Sequence, residues 1–262
     1  MELEKVAEAI NLLGEYLGMR DVDALKSDCI CRAIGQKRAN AMVLFGGSIL
    51  AGGDVLAGAM SEGVADKYII VGGEGHTTPA LRQKVHALYP DFDTEGLAES
   101  QVFSGYLMRK YDLKPDYIET QSTNCGNNIT NLLALMDTHS LGRNSVILCQ
   151  DASMQRRMDA GLRKYAPDTR IINYATYRAH VTVRDGALCF SDKISGMWSI
   201  ERYISLLMSE IPRLRDDENG YGPRGKGFIA HTDMPDEVED AFKLLSTGGI
   251  GAIREGDARY AG

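Results

Sequence analysis

Val6, Ile10, Leu13 and Leu17 recur at helical intervals and form one stripe of an amphipathic helix that Gly18 ends. A polar connector follows, carrying Arg20, Asp21, Asp23, Lys26, Arg32, Lys37 and Arg38. Beyond it the pattern becomes regular. Short apolar runs over Ala41 to Phe45, Tyr68 to Val71, Tyr117 to Glu119, Val146 to Cys149 and Arg170 to Tyr174 read as strands. Between them Ile49 to Gly63, Thr77-Thr-Pro79 to Tyr89, Glu99 to Tyr111, Asn128 to His139 and Met154 to Tyr165 read as helices, with Pro79 suited to a first helical turn. Buried strands alternating with helices predict an α/β fold, a Rossmann-like three-layer α/β/α sandwich around a mainly parallel sheet. After Tyr177 the alternation stops. A helix over Ser199 to Ile211, a polar Gly- and Pro-containing loop over 216–227, a last helix over Pro235 to Leu245 and a loose tail from Gly248 to Gly262 complete the chain. The expected division is an N-terminal helix and connector (1–39), a Rossmann-like core (40–198) and a helical C-terminal extension with a lid-like loop packing on the core (199–262).

In open parallel sheets, ligands sit outside the carboxyl ends of the strands. Four polar or glycine-rich turns start at such ends: Gly46-Gly47, Gly72-Gly-Glu-Gly75, Gln121-Ser-Thr-Asn-Cys-Gly-Asn-Asn128 and Gln150-Asp-Ala-Ser-Met-Gln-Arg-Arg157. The glycines let backbone approach a ligand, and each helix start offers N–H donors. The Gln121–Asn128 turn has more short polar side chains than one N-cap uses. An over-capped helix start would explain them; a ligand-binding turn is the reading adopted. The full G-x-G-x-x-G fingerprint and the Lys-Ser/Thr ending of a P-loop are both missing. His76, between a glycine turn and a helix start, is placed for a proton-transfer or ligand contact. Cys125 at a helix start is a candidate nucleophile if its pKa is lowered. His231-Thr-Asp233 offers two metal ligands without a third, and no G-x-S-x-G elbow supports a serine hydrolase.

Composition narrows the class. With 29 basic and 36 acidic residues the net charge is −7, and no basic block points to nucleic acid. Five cysteines, an odd number without repeating spacing, argue against a disulfide framework. No apolar run approaches the ~20 residues that span a bilayer, and Met1-Glu-Leu-Glu does not read as a signal peptide. The expectation is a reduced, soluble, cytoplasmic protein that contacts neither membrane nor nucleic acid.

The motifs Gly72-Gly-Glu-Gly-His76, Gln121 to Asn128, Gln150 to Arg157, Glu201 to Leu207, Leu214-Arg-Asp-Asp217 and Gly220-Tyr-Gly-Pro-Arg-Gly225 occur in that order. Over roughly residues 40–240 the chain resembles the YdcF-like family, within the SanA/ElyC-type group of Rossmann-like domains. The resemblance implies a three-layer α/β fold and binding of S-adenosyl-L-methionine. It implies no reaction. Charge agrees with such a ligand. Acidic residues near the strand ends, Glu74 and Asp151 with Asp54 and Glu99, oppose a polyphosphate. They suit hydroxyls, an amine or a sulfonium, while Arg156, Arg157 or Arg213 offers a fork for a carboxylate. The expected ligand contacts are Gly46, Gly73, Gly75, His76, Thr123, Asn124, Asn128, Asp151, Gln155, Arg156 and Tyr221, the last with Gly220 and Gly222 as hinges of a lid. As an enzyme the protein would be a transferase using that ligand. The competing expectation is a hydrolase or phosphotransfer enzyme using the anion-friendly helix starts.

Overall fold

A computed structural model of the protein describes residues 2–253. Five parallel strands form the central sheet: β1 (Ala39–Phe45), β2 (Ala65–Val71), β3 (Tyr117–Glu119), β4 (Ser145–Cys149) and β5 (Arg170–Asn173), in the order β3-β2-β1-β4-β5. The β1 and β4 runs are almost wholly buried, as strands covered on both faces require. Alternate residues serve opposite layers. Met42, Leu44, Ile70 and Ile147 pack under α3 (Ala51–Glu62), α4 (Thr78–Leu88) and α5 (Glu99–Tyr111). Val43, Phe45, Ile69, Val71 and Leu148 pack under α6 (Cys125–Thr138) and α7 (Gln155–Tyr165). The expected α/β/α sandwich is the fold.

A third core joins the two ends of the chain. Helix α1 (Leu3–Leu17) buries Val6, Ile10, Leu13 and Leu17 against α8 (Ile200–Leu214) and α9 (Asp236–Thr247). These expected additions thus form one unit beside the sheet. The same core includes an antiparallel hairpin, β6 (Val181–Arg184) and β7 (Ala187–Phe190). Its turn, Asp185-Gly186, holds both residues at positive φ, 53° and 72°, the conformation of the tight hairpin turns that match strand twist.

The structure departs from the sequence reading in four places. The polar connector contains a helix, α2 (Ser27–Ile34), that buries Cys29 and Ile30 and ends at Gly35 in the left-handed region. The region after Tyr177 contains the hairpin. Helix α6 begins at Cys125 rather than Asn128, because Asn124 caps it. Helix α8 continues through Pro212 to Leu214, although proline has no N–H to give the Met208 carbonyl. The tail expected over 248–262 lies outside the described residues from 254 onward.

Candidate functional site

Parallel pairing brings the carboxyl ends of all five strands to one edge. Phe45 is level with Val71, Val71 with Glu119 and Leu44 with Cys149. Gly46, Gly72, Thr120 and Gln150 therefore leave the sheet side by side, spaced by about 4.8 Å per strand. Hydrogen bonds join the emerging turns: Gly46 N to Val71 O at 2.6 Å, Gly72 N to Glu119 O at 3.1 Å and Gln150 Nε2 to Gly46 O at 3.2 Å.

The glycine turn after β2 and the polar turn after β3 form one unit. Gly73 N donates to Ser122 Oγ at 3.0 Å, and Glu74 N donates to the Ser122 carbonyl at 3.0 Å. A Cβ at Gly73 would stand 2.2 Å from Ser122 O, so only glycine allows this approach. The buried Glu119 carboxylate organises the second turn, accepting Gln121 N, Ser122 N and Asn131 Nδ2. Asn124 and Asn127 cap α6 reciprocally: Asn127 N reaches Asn124 Oδ1, and Asn127 Oδ1 accepts the N–H groups of Asn124 and Thr123. Much of the polar surplus is thereby used in shaping the turn. Gly47 and Gly75 differ from their neighbours. A Cβ at Gly47 would meet only Gln150 Oε1 at 3.7 Å, and one at Gly75 only Thr123 O at 3.8 Å. Both positions are half-exposed and would take a Cβ at ordinary contact distance.

Beneath these turns lies Glu99, the first residue of α5 and buried. Its Oε1 accepts the hydroxyls of Thr77 and Thr78, each at 2.9 Å, while Thr78 Oγ1 accepts Gly75 N at 2.7 Å. Oε2 lies against Gly46, where a Cβ would come within 2.4 Å of it. Burial raises the carboxyl from 4.5 to about 7, against the two threonine hydroxyls and Arg82. It is thus able to exchange a proton near neutrality.

Asp151 is buried after β4 and accepts Ser153 N at 3.1 Å, Ser153 Oγ at 2.9 Å and the Tyr177 hydroxyl. Burial pushes its carboxyl up, with these donors opposing. Lys84 reaches over from α4: its Nζ donates to Ser48 O at 2.9 Å and Gly196 O at 2.6 Å, and lies 4.6 Å from the centre of the Trp198 ring. On the other side of the sheet, Glu210 of α8 takes both Arg157, in a fork whose Nη2–Oε1 arm is 3.0 Å, and Arg213 at 2.8 Å. Burial alone would raise Glu210; the two guanidiniums outweigh it and hold the carboxyl below its ordinary range.

Several expected contacts meet along this edge and others do not. Gly46, Gly73, Gly75, Thr123, Asn124, Asn128 and Asp151 belong to the turns or first helical residues there, and exposed His76 follows Gly75. Gln155 is wholly buried and structural: Oε1 accepts Gln150 N, while Nε2 donates to Leu148 O and Asn173 Oδ1. Arg156 turns away, donating to the Tyr16 carbonyl with its guanidinium 3.9 Å above the Tyr16 ring. It fixes α1 to α7. Tyr221 packs edge-on against Phe228 within a loop that is bonded to itself, where Gly220 and Gly222 permit close backbone packing, with Cβ clashes of 2.0 and 2.6 Å. Burial raises the Cys125 thiol, with Arg157 opposing, which overturns the lowered pKa expected of a nucleophile. His231 lies between Asp216 and Asp233, at 2.7 and 3.1 Å, and its hydrogen bonds to both carboxylates raise its pKa. Lys84 and Trp198 escaped the sequence reading because they belong to distant segments: Lys84 meets the chain again at Gly196, 112 residues on.

No family model matches the chain. Among the described residues no helix is long and apolar enough to cross a membrane.

Proposed function

We propose that the carboxyl edge of the sheet binds a small zwitterionic nucleoside metabolite of the S-adenosyl-L-methionine class. The observation that carries this reading is the half-exposed backbone of Gly47 and Gly75, which no side chain crowds closer than ordinary van der Waals contact, on two turns that leave adjacent strands of one sheet. Around it stand groups that suit such a ligand: backbone N–H groups at helix starts, a lysine, and the carboxyls of Glu99 and Asp151. Two acidic side chains against one lysine disfavour a polyphosphate. The resemblance to YdcF-like proteins points the same way, and its cysteine pattern goes with a cytoplasmic setting. The reading is of binding; Glu99 is the group beneath the turns suited to proton transfer should a reaction accompany it.

Isothermal titration calorimetry with S-adenosylmethionine, S-adenosylhomocysteine and a nucleoside diphosphate tests the proposal. The expected result is saturable one-to-one binding of an adenosyl ligand and none of the diphosphate. Binding of the diphosphate alone would transfer the site to phosphate chemistry.

A further inference from the structure

The turn between β1 and α3 has polar groups that the fold leaves unused. Ser48 is 1% exposed, yet its Oγ has no hydrogen-bond partner among the described residues. Nor do the backbone N–H groups of Gly47, Ser48 and Ile49 donate to any described protein acceptor. A strap over 194–198 covers the turn: Ser195 O accepts Ala51 N at 3.3 Å, and Lys84 clamps Gly196 O to Ser48 O. Trp198 rides on this strap, and its Nε1 is also buried without a partner. The indole N–H lies close enough to Asp151 to lower that carboxyl, although it completes no well-formed hydrogen bond with it.

Buried donors are normally satisfied, because desolvating one without return costs about 1–3 kcal/mol. Here two orphaned side-chain donors and three successive backbone donors fall on one turn and its strap, beside an ammonium group with a third N–H to give. Every unused group can donate, and only the Ser48 hydroxyl can also accept, which favours an acceptor-rich ligand. Single charge is favoured over double, because Lys84 is the cation at the turn and Asp151 and Glu99 stand close behind it. Half-exposed Gly47 gives the anion an approach to the turn.

We propose that Gly47–Ile49, Ser48 Oγ and Trp198 Nε1, with Lys84 behind them, form a carboxylate subsite that holds the amino-acid end of the bound metabolite. The inference deepens the proposed function and rests on it for the remainder of the ligand. It also gives the strap a role: the carboxylate joins the β1–α3 turn to the segment that covers it.

Trp198 is the single tryptophan of the chain, so its emission reports this subsite alone. The full-length protein is titrated with S-adenosylmethionine and with its decarboxylated form, as wild type and as Ser48→Ala. Losing a charge-assisted hydrogen bond is worth about tenfold or more. The wild type should therefore bind the decarboxylated ligand at least that much more weakly, and the difference should shrink in Ser48→Ala. Equal affinity for the two ligands, or a difference untouched by Ser48→Ala, overturns the subsite while leaving the proposed function standing. Failure of both ligands to bind removes the proposed function, and acetate then decides the subsite. A saturable Trp198 response in the wild type that Ser48→Ala weakens supports it; no response, or the same response in both proteins, overturns it. Ser48→Ala should fold normally, because the hydroxyl it removes has no partner, and an unchanged or raised Tm confirms that the variant is a fair test.

Discussion

Gly73→Ala is the substitution whose cost follows most directly from the geometry. The new methyl would stand 2.2 Å from Ser122 O, 2.7 Å from Thr120 O and 2.8 Å from Ser122 N. All three are backbone atoms of a turn that Glu119 fixes from below, so no side chain can swing aside. Relief requires the β2 and β3 turns to part by about 1 Å, since the methyl needs more than 3 Å from an oxygen. That movement breaks the Gly73 N–Ser122 Oγ and Glu74 N–Ser122 O bonds, both 3.0 Å. Two bonds at about 1 kcal/mol each and overpacking strain of about 1–3 kcal/mol give a loss of roughly 3–5 kcal/mol. For a chain of this size that lowers Tm by about 10 °C. Gly75→Ala is the control, because its methyl would meet nothing nearer than Thr123 O at 3.8 Å. It should melt within about 2 °C of wild type, or slightly higher through the lower entropy of its unfolded chain. Thermal melts followed by circular dichroism compare the three proteins. A Gly73→Ala protein as stable as wild type, or equal losses at both positions, would refute the docking of the two turns.

The folded chain holds the Glu99 carboxyl at about 7 against an ordinary 4.5, so the unfolded chain binds fewer protons between those values and stability falls as pH rises through them, by about 3 kcal/mol. Glu99→Gln should remove that slope and be the more stable protein at pH 8 but not at pH 5; parallel urea-denaturation results for the two proteins across that range would contradict the burial. Glu210→Ala leaves the Arg157 guanidinium, 14% exposed, without its counter-charge and should cost about 3–5 kcal/mol in the same assay. Arg156→Ala should lower stability by about 1–2 kcal/mol through its lost contacts with Tyr16 and leave ligand affinity unchanged in calorimetry; weakened binding with an unchanged Tm would return Arg156 to the site.

The sheet was legible because buried parallel strands leave uninterrupted apolar runs, Met42-Val-Leu-Phe45 and Val146-Ile-Leu-Cys149 among them. Helix α2 was hidden by charge: it is short, and it buries little besides Cys29 and Ile30. The hairpin had a signal, Asp185-Gly186 between alternating residues, that outweighs the loss of helical periodicity around it. At the site the glycine turns and the Gln121–Asn128 turn could be found, because strand ends in a parallel sheet share one edge. Side-chain direction could not. Arg156 and Arg157 are neighbours on α7, yet one faces α1 and the other faces Glu210 on α8, a choice made by the packing of the chain ends. Lys84 and Trp198 carry no local motif, and Lys84 meets both Ser48 O and the Trp198 ring only through the folded arrangement of α4 and the strap.

Mass spectrometry of the metabolites that copurify with the full chain tests the central claim most directly, with Gly75→Val as the partner sample because its side chain would fill the space in front of that turn. The account predicts an adenosyl-containing compound with an amino-acid end, retained by the wild type and depleted in the variant. A phosphorylated compound in its place, or equal retention by both proteins, would contradict it.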